Sequence, residues 1–312
     1  MGRPGLFRTL WLAMKRDSPW AVTLVMNEVF TLAGPWVLYT WAAALAICCA
    51  GLFNSQHLLL GYALCYVVNG VVAGITSEYQ SAIATASCVL YTAYGLRLAT
   101  YLLRRNADPS FAQKREAARA KTSNTALYLR ATSVAVVSFS QVIYALPLRL
   151  LSSSSTPMSG HPMCEVMGWI SVLLSSGGLA LSTCADEHKL AAKRAGPNLP
   201  VMDGLYSTLR HPNHLGDWLF HFGMAGLALA AASSASTTPH AGFAAVTGPV
   251  LMLLVVMRAA FNLDTEGSRR YGNSAAYLDW VAEADSLFPQ PEVSRKAWSR
   301  AAKQSDWRKK RS

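Results

Sequence analysis

The chain has 312 residues, of which 52% are hydrophobic and 14% charged. A soluble domain usually carries about 25% charged residues, so the deficit predicts a membrane protein and excludes an ordinary water-soluble fold. The formal net charge is +11, but Lys and Arg fall between and after apolar segments, a pattern of membrane topology and not of a nucleic-acid-binding face.

Residues 1–30 place Leu6, Phe7, Leu10, Trp11 and Met14 at helical spacing beside Arg3, Arg8, Lys15 and Arg16. That pattern predicts an interfacial amphipathic segment and no cleavable signal. Apolar stretches follow at about 31–53, 57–75, 81–103, 129–151, 163–184, 217–235 and 241–263, each near the ~20 residues a crossing helix needs. The expected fold class is therefore all-α, a multi-pass membrane helix bundle of about seven transmembrane helices over 31–290, with a basic tail at 291–312. The links at 104–128 and 185–216 and the segment after 264 are rich in Lys and Arg, whereas 54–56, 76–80, 152–162 and 236–240 hold none. The basic links and the carboxyl terminus are thus expected in the cytosol. All six cysteines sit in apolar runs without a CxxC spacing, as buried free thiols would.

The densest polar stretch runs from Gly204 to Trp218 and carries Arg210, His211, Asn213, His214 and Asp217 at the mouth of the sixth crossing. Polar groups beside hydrocarbon are costly and mark function by default. Pro212 keeps His211 out of helical geometry and predicts a helix start at about Asn213. Asn213 and Asp217 then share one helical face, with His214 and His221 close to it. A helix N-terminus preceded by an arginine suits a phosphate-bearing ligand. His214, Asp217 and His221 also have a spacing that could hold a metal, but no second matching set exists and no metal is expected. No Walker A, GxGxxG, GxSxG or HExxH motif is present.

Arg97 in the third crossing, Asp217 and Arg258 in the seventh all fall in the cytosolic leaflet by this topology. A cytosol-facing pocket for a polyanionic cofactor accounts for them, and so does a structural ion pair with snorkelling arginine. Tyr94 lies one turn before Arg97 and reads either as packing or as a proton donor to a substrate carbonyl. Asp186, Lys189 and Lys193 form one polar stripe after the fifth crossing.

The series Gly204-Leu-Tyr…Arg210-His-Pro-Asn213-His-Leu-Gly-Asp217-Trp resembles the carboxy-terminal signature of the steroid 5-alpha-reductase superfamily, especially its DUF1295 branch that carries Arg-His-Pro-Asn. Tyr94-Gly-Leu-Arg97…Asn106, the proline-ended fourth segment Gln141…Pro147, Asp186 with Lys193, Arg258, and Arg269-Arg-Tyr-Gly…Tyr277…Phe288-Pro-Gln-Pro extend the likeness over about 85–290. The resemblance implies a membrane reductase that uses NADPH to deliver hydride to a carbon–carbon double bond conjugated to a carbonyl in a lipid or steroid-like substrate. It implies Arg97, Asp186, Lys193, Arg210, His211, Asn213, Asp217 and Arg258 around the cofactor, and Tyr94 at the substrate carbonyl. For a eukaryotic chain it implies the endoplasmic reticulum.

Two departures accompany it. Lys193 stands where the family holds cofactor with arginine, and the carboxylate that steroid reductases pair with the tyrosine has no clear counterpart among Glu28, Glu78 and Asn69. A SAM-dependent methyltransferase of the isoprenylcysteine carboxyl methyltransferase type, with Asp264 and Glu266 as a faint echo of its acidic motif, and a sterol C14- or C7-type reductase are the alternatives. A channel or transporter would need polar residues from face to face, and those here stop on one side.

Overall fold

The computed structural model describes residues 35–76, 81–153, 162–234 and 239–286; the expected interfacial segment at 1–30 and basic tail at 291–312 lie outside these, as do Glu28 and Glu78. The helices are α1 (Pro35–Cys48), α2 (Ser55–Thr76), α3 (Ala82–Ala107), α4 (Ala112–Ser123), α5 (Leu127–Ser153), α6 (Pro162–Ala195), α7 (Leu205–Thr208), α8 (Pro212–Ser234), α9 (Pro239–Tyr271) and α10 (Ala275–Glu283). Apart from a bridge between Leu209 and Asp285, regular structure among the described residues is helical.

Six helices, α2, α3, α5, α6, α8 and α9, are long and apolar enough to cross a bilayer. They fit a multi-pass integral membrane protein. The first expected crossing corresponds to α1 and the 3-10 turn Cys49–Leu52, described from residue 35 onward. Large apolar side chains such as Ile75, Val89, Ile170 and Leu173 stay exposed on the outer faces of α2, α3 and α6, as lipid-facing positions require. The centre of the bundle is a layer built from α2, α3, α5, α8 and α9, including Tyr66, Tyr91, Tyr94, Leu146, Phe220, Leu227 and Met252.

Several crossings run past the expected ends. The link expected to begin at 185 is helical through Ala195, so α6 has 34 residues and a length of about 51 Å, well beyond a hydrocarbon core of about 30 Å. Its last turns therefore project past the membrane and carry Asp186 to Arg194 as helix, not loop. The fourth crossing, expected at 129–151, is α5, which runs through Pro147 to Ser153. Pro147 deprives the Ile143 carbonyl of its helical donor. The backbone of α9 closes on that carbonyl at Gly248, where an added Cβ would lie 2.3 Å from it, and the Tyr91 hydroxyl donates to the adjacent Tyr144 carbonyl. Neighbouring helices thus surround the freed group, which is how prolines are accommodated in membrane helices.

The short link at 54–56 lies at the same end of the bundle as the basic link at 104–128. The Ser55 amide donates to Thr122 Oγ1 at 3.3 Å and Arg130 donates to the Leu52 carbonyl at 2.7 Å. At this end Asp108 closes α3. Its extended backbone stops the helix ahead of Pro109, its carboxylate accepts from the Ser110 amide at 3.0 Å and from Arg194 of α6 at 2.5 Å, and its carbonyl accepts from Arg115 of α4 at 2.5 Å. The Arg194 and Ser110 hydrogen bonds hold the Asp108 carboxyl down at about 2.

Candidate functional site

The polar stretch is shaped before it enters α8. Gly204 has φ of 54°, in the left-handed region where a side chain is strained, and an added Cβ there would stand 2.7 Å from the His188 ring. The buried Tyr206 hydroxyl donates to the Ala185 carbonyl at 3.3 Å, and Trp280 of α10 donates to the Tyr206 carbonyl at 2.7 Å. The Arg210 amide donates to the Asp285 carbonyl, and the Asp285 amide to the Thr208 carbonyl, both at 2.9 Å. The loop is therefore tied on one side to α6 and on the other to α10. His211 stays non-helical, its carbonyl accepts from the Leu215 amide at 3.0 Å, and α8 opens at Pro212, one residue from the expected start.

Glycines bring α6 and α8 together. A Cβ at Gly178 would lie 2.5 Å from the Gly216 carbonyl oxygen, and one at Gly216 would lie 2.5 Å from the Ser182 amide. Only hydrogen fits at either position, so the two backbones nearly touch. One turn beyond Ser182 on α6 and on Gly216's next residue, Asp186 and Asp217 consequently converge on α3.

Arg97 of α3 receives both. One guanidinium nitrogen bonds the Asp186 carboxylate and donates to the Ser182 carbonyl at 2.5 Å, and the other lies 3.5 Å from Asp217. Asn213 donates to the second Asp186 oxygen at 3.2 Å. The Tyr94 hydroxyl makes a long 3.4 Å contact with the same Asp217 oxygen. A second node sits beside this one: His211 Nε2 meets Asp264 of α9 at 2.7 Å, and Arg210 lies 3.7 Å from the other Asp264 oxygen.

Towards the membrane interior the polar nodes give way to aromatic rings. Tyr94 stacks on Phe220 at 4.2 Å between centroids, Tyr66 lies 5.0 Å from Tyr91 and 5.1 Å from Tyr94, and His221 stands edge-on to Tyr94 at 5.5 Å. The Tyr62 and Tyr66 hydroxyls on α2 are 2.9 Å apart. The early-helix polar partners near Tyr94 are thus these tyrosines; Asn69 instead donates to the Gln141 carbonyl of α5 at 3.3 Å.

Many polar atoms here are buried without a hydrogen-bond partner: Arg97 Nε and Nη1, Arg210 Nε, Asn213 Oδ1, both ring nitrogens of His214, His221 Nε2 and Asp264 Oδ2. Buried polar atoms are normally satisfied. Their concentration in one place suits a ligand rich in both donors and acceptors, as a dinucleotide is.

Of the residues singled out from the sequence, Tyr94, Arg97, Asp186, Asn213 and Asp217 come together, and Arg210 and His211 form the adjoining node. His214 Nδ1 lies 3.9 Å from Asp217. Lys193 lies farther out, donating to the Leu199 and Pro197 carbonyls, with its ammonium 6.0 Å over the Tyr271 ring. Arg258 is not brought in: its side chain is exposed and forms no ion pair among the described residues. The charged group that α9 supplies is Asp264. Met252, Val256, Ala260 and Asp264 recur every fourth residue and are all buried, whereas Arg258 falls off that stripe; reading the helical face would have preferred Asp264.

A family profile described as a protein of unknown function, DUF1295, matches residues 57–284. The chain belongs to that family. No curated protein and no solved structure gives a match.

Proposed function

We propose that this DUF1295 chain is a membrane reductase of the steroid 5-alpha-reductase type, which binds NADPH at the Arg97–Asp264 nest and reduces a carbon–carbon double bond conjugated to a carbonyl in a lipid. The observation that carries this reading is the set of orphaned buried polar atoms on Arg97, Arg210, Asn213, His214 and Asp264. They lie next to an aromatic layer in which His221 Nε2 is the one atom of that orphaned set among the described residues. A polar cofactor on one side and an apolar acceptor on the other is what that division suits.

When bound, the dinucleotide would supply the hydride. The chain's own part is positional and protic. Arg97 and Asn213 are oriented by Asp186 and turn their remaining polar atoms towards the ligand. His211 and Arg210 are oriented by Asp264 in the same way. Tyr94 stands at the border of nest and aromatic layer, where its hydroxyl donates a proton to the substrate oxygen as charge develops there. The surrounding rings of Tyr66, Phe220 and His221 exclude water, which strengthens that hydrogen bond and protects the reduced centre. The substrate reaches the aromatic layer from the bilayer and the cofactor from the end that holds the basic links.

The methyltransferase alternative gains one observation, the buried Asp264 beside Arg210 and His211. Titrating NADPH and SAM into one detergent-solubilised preparation separates the two. Tighter binding of NADPH supports the reductase; preference for SAM overturns it.

A further inference from the structure

One polar side chain deep in the bundle stands apart from the nest. Gln141 lies midway along α5, about 21 Å from its Leu127 end at about 1.5 Å per residue. It is 1% exposed, so its amide sits inside the bundle and not against lipid. Neither the amide nitrogen nor the amide oxygen has a hydrogen-bond partner among the described residues. Asn69 of α2 reaches the same residue but donates to the Gln141 backbone carbonyl, at 3.3 Å, and leaves the side chain unanswered. Burying an unmatched amide is costly, and a hydrocarbon core offers no bulk water to relieve it. In a membrane such a group marks a functional position by default.

Gln141 borders the aromatic layer. Tyr144 follows it by one turn on the same side of α5, and the Tyr144 ring lies 6.5 Å from those of Tyr62 and Tyr66. Tyr66 lies in turn 5.1 Å from Tyr94. The rings of Tyr144 and Tyr66 therefore join Gln141 to Tyr94, over a span on the order of 15 Å or less. An elongated lipid whose carbonyl meets Tyr94 could lay its far end at Gln141.

We propose that Gln141 anchors a hydroxyl on the lipid substrate, at the end remote from the conjugated carbonyl, and so selects lipids oxygenated at both ends. The proposal rests on the reductase reading, in which Tyr94 takes the carbonyl. A hydroxyl accepts from the amide nitrogen or donates to the amide oxygen, so it can answer either orphaned atom, and it brings no charge into the bilayer. A carboxylate or ammonium would need a counter-charge that Gln141 does not supply. An alkyl end gains nothing there, and a site built to hydrogen-bond a hydroxyl discriminates against the analogue that lacks it.

The test uses the purified full-length protein in detergent with NADP+ present, so that binding is read without turnover. The probes are a straight-chain methyl enone about twelve carbons long, with and without a hydroxyl at its far end. They are titrated into the parent and into Gln141→Met, which keeps the length of the side chain and removes both amide atoms. The parent should bind the hydroxylated enone about tenfold more tightly than the plain one. Gln141→Met should bind both alike, having lost affinity for the hydroxylated probe alone. Without lipid, the variant should bind NADPH as the parent does and unfold about 2–4 °C higher, because it no longer buries an unmatched amide. Equal affinities in the parent, discrimination that survives in Gln141→Met, or binding of neither enone by a parent that binds NADPH overturns the hydroxyl anchor and leaves the cofactor reading standing. A lower unfolding temperature in the variant overturns it too, by showing that the amide is matched within the protein. Failure of the parent to bind NADPH removes the underlying reading itself.

Discussion

His211 and Asp264, separated by 53 positions in the chain, meet at 2.7 Å inside the bundle, the imidazole from the turn before α8 and the carboxylate from the far half of α9. With Arg210 close to the second carboxylate oxygen, this contact joins the loop that precedes α8 to α9. Removing one member of a buried charged set leaves its partners uncompensated, a loss of about 3–5 kcal/mol. Asp264→Ala should therefore lower unfolding stability in detergent by that order and weaken NADPH binding. Arg258→Ala, on the exposed face of the same helix, should change stability by no more than about 0.5 kcal/mol and leave NADPH affinity unaltered. Equal effects of the two substitutions would show that Asp264 has no special place in the site.

Tyr94 combines a stacking contact with Phe220 and a hydroxyl near Asp217. Phenylalanine keeps the ring and removes the proton. Tyr94→Phe should leave NADPH titration unchanged and cut lipid reduction by about 10²- to 10⁴-fold, the range typical of a lost general acid. The measurement is NADPH-dependent gain of two hydrogens in a lipid extract; turnover surviving the substitution would make Tyr94 a packing residue.

Two adjacent glycines of α6 should answer oppositely to the same change. Gly178→Ala places a methyl 2.5 Å from the Gly216 carbonyl oxygen, whereas a Cβ at Gly177 has nothing within 4 Å. The first should push α6 from α8, at a cost of about 1–3 kcal/mol for overpacking, and should separate Asp186 from Asn213 enough to weaken dinucleotide binding. The second should be neutral or stabilising by up to about 1 kcal/mol through helix propensity. Thermal unfolding of both variants in one detergent decides.

The pH dependence of the α3–α4–α6 junction follows from Asp108. Arg194 and Ser110 hold its carboxyl at about 2, below the ordinary 3.8. A depressed carboxyl contributes stability that is complete above its unfolded value and is lost as pH falls through the folded one. Unfolding stability should thus decline as pH drops from about 4 towards 2, and Asp108→Asn should flatten that part of the profile. An unchanged acid limb in the variant would mean that other carboxylates govern it.

The legible part of this molecule was its solvent preference and its order along the chain. Runs of apolar residues near the bilayer length marked six described crossings and the place of the first, because lipid imposes one rule, internal backbone hydrogen bonding, on every spanning segment. Pro212 fixed the start of α8 for a similarly local reason. Segment ends were less legible: α6 runs on to Ala195, since a helix leaving the membrane changes its polarity without breaking its backbone hydrogen bonds.

By itself the sequence determined that the chain is a helical membrane bundle, with polar and charged residues, Arg97, Asp186, Asn213 and Asp217 among them, gathered towards one end. The resemblance selected Arg258, whereas the buried stripe of α9 carries Asp264; the two charged residues differ in the direction they face. The sequence could not show that Tyr62 and Tyr66 stand near Tyr94. Those outcomes depend on helix rotation and on how closely glycines such as Gly178 and Gly216 let two backbones approach, and both are settled by the packing of segments far apart in the chain.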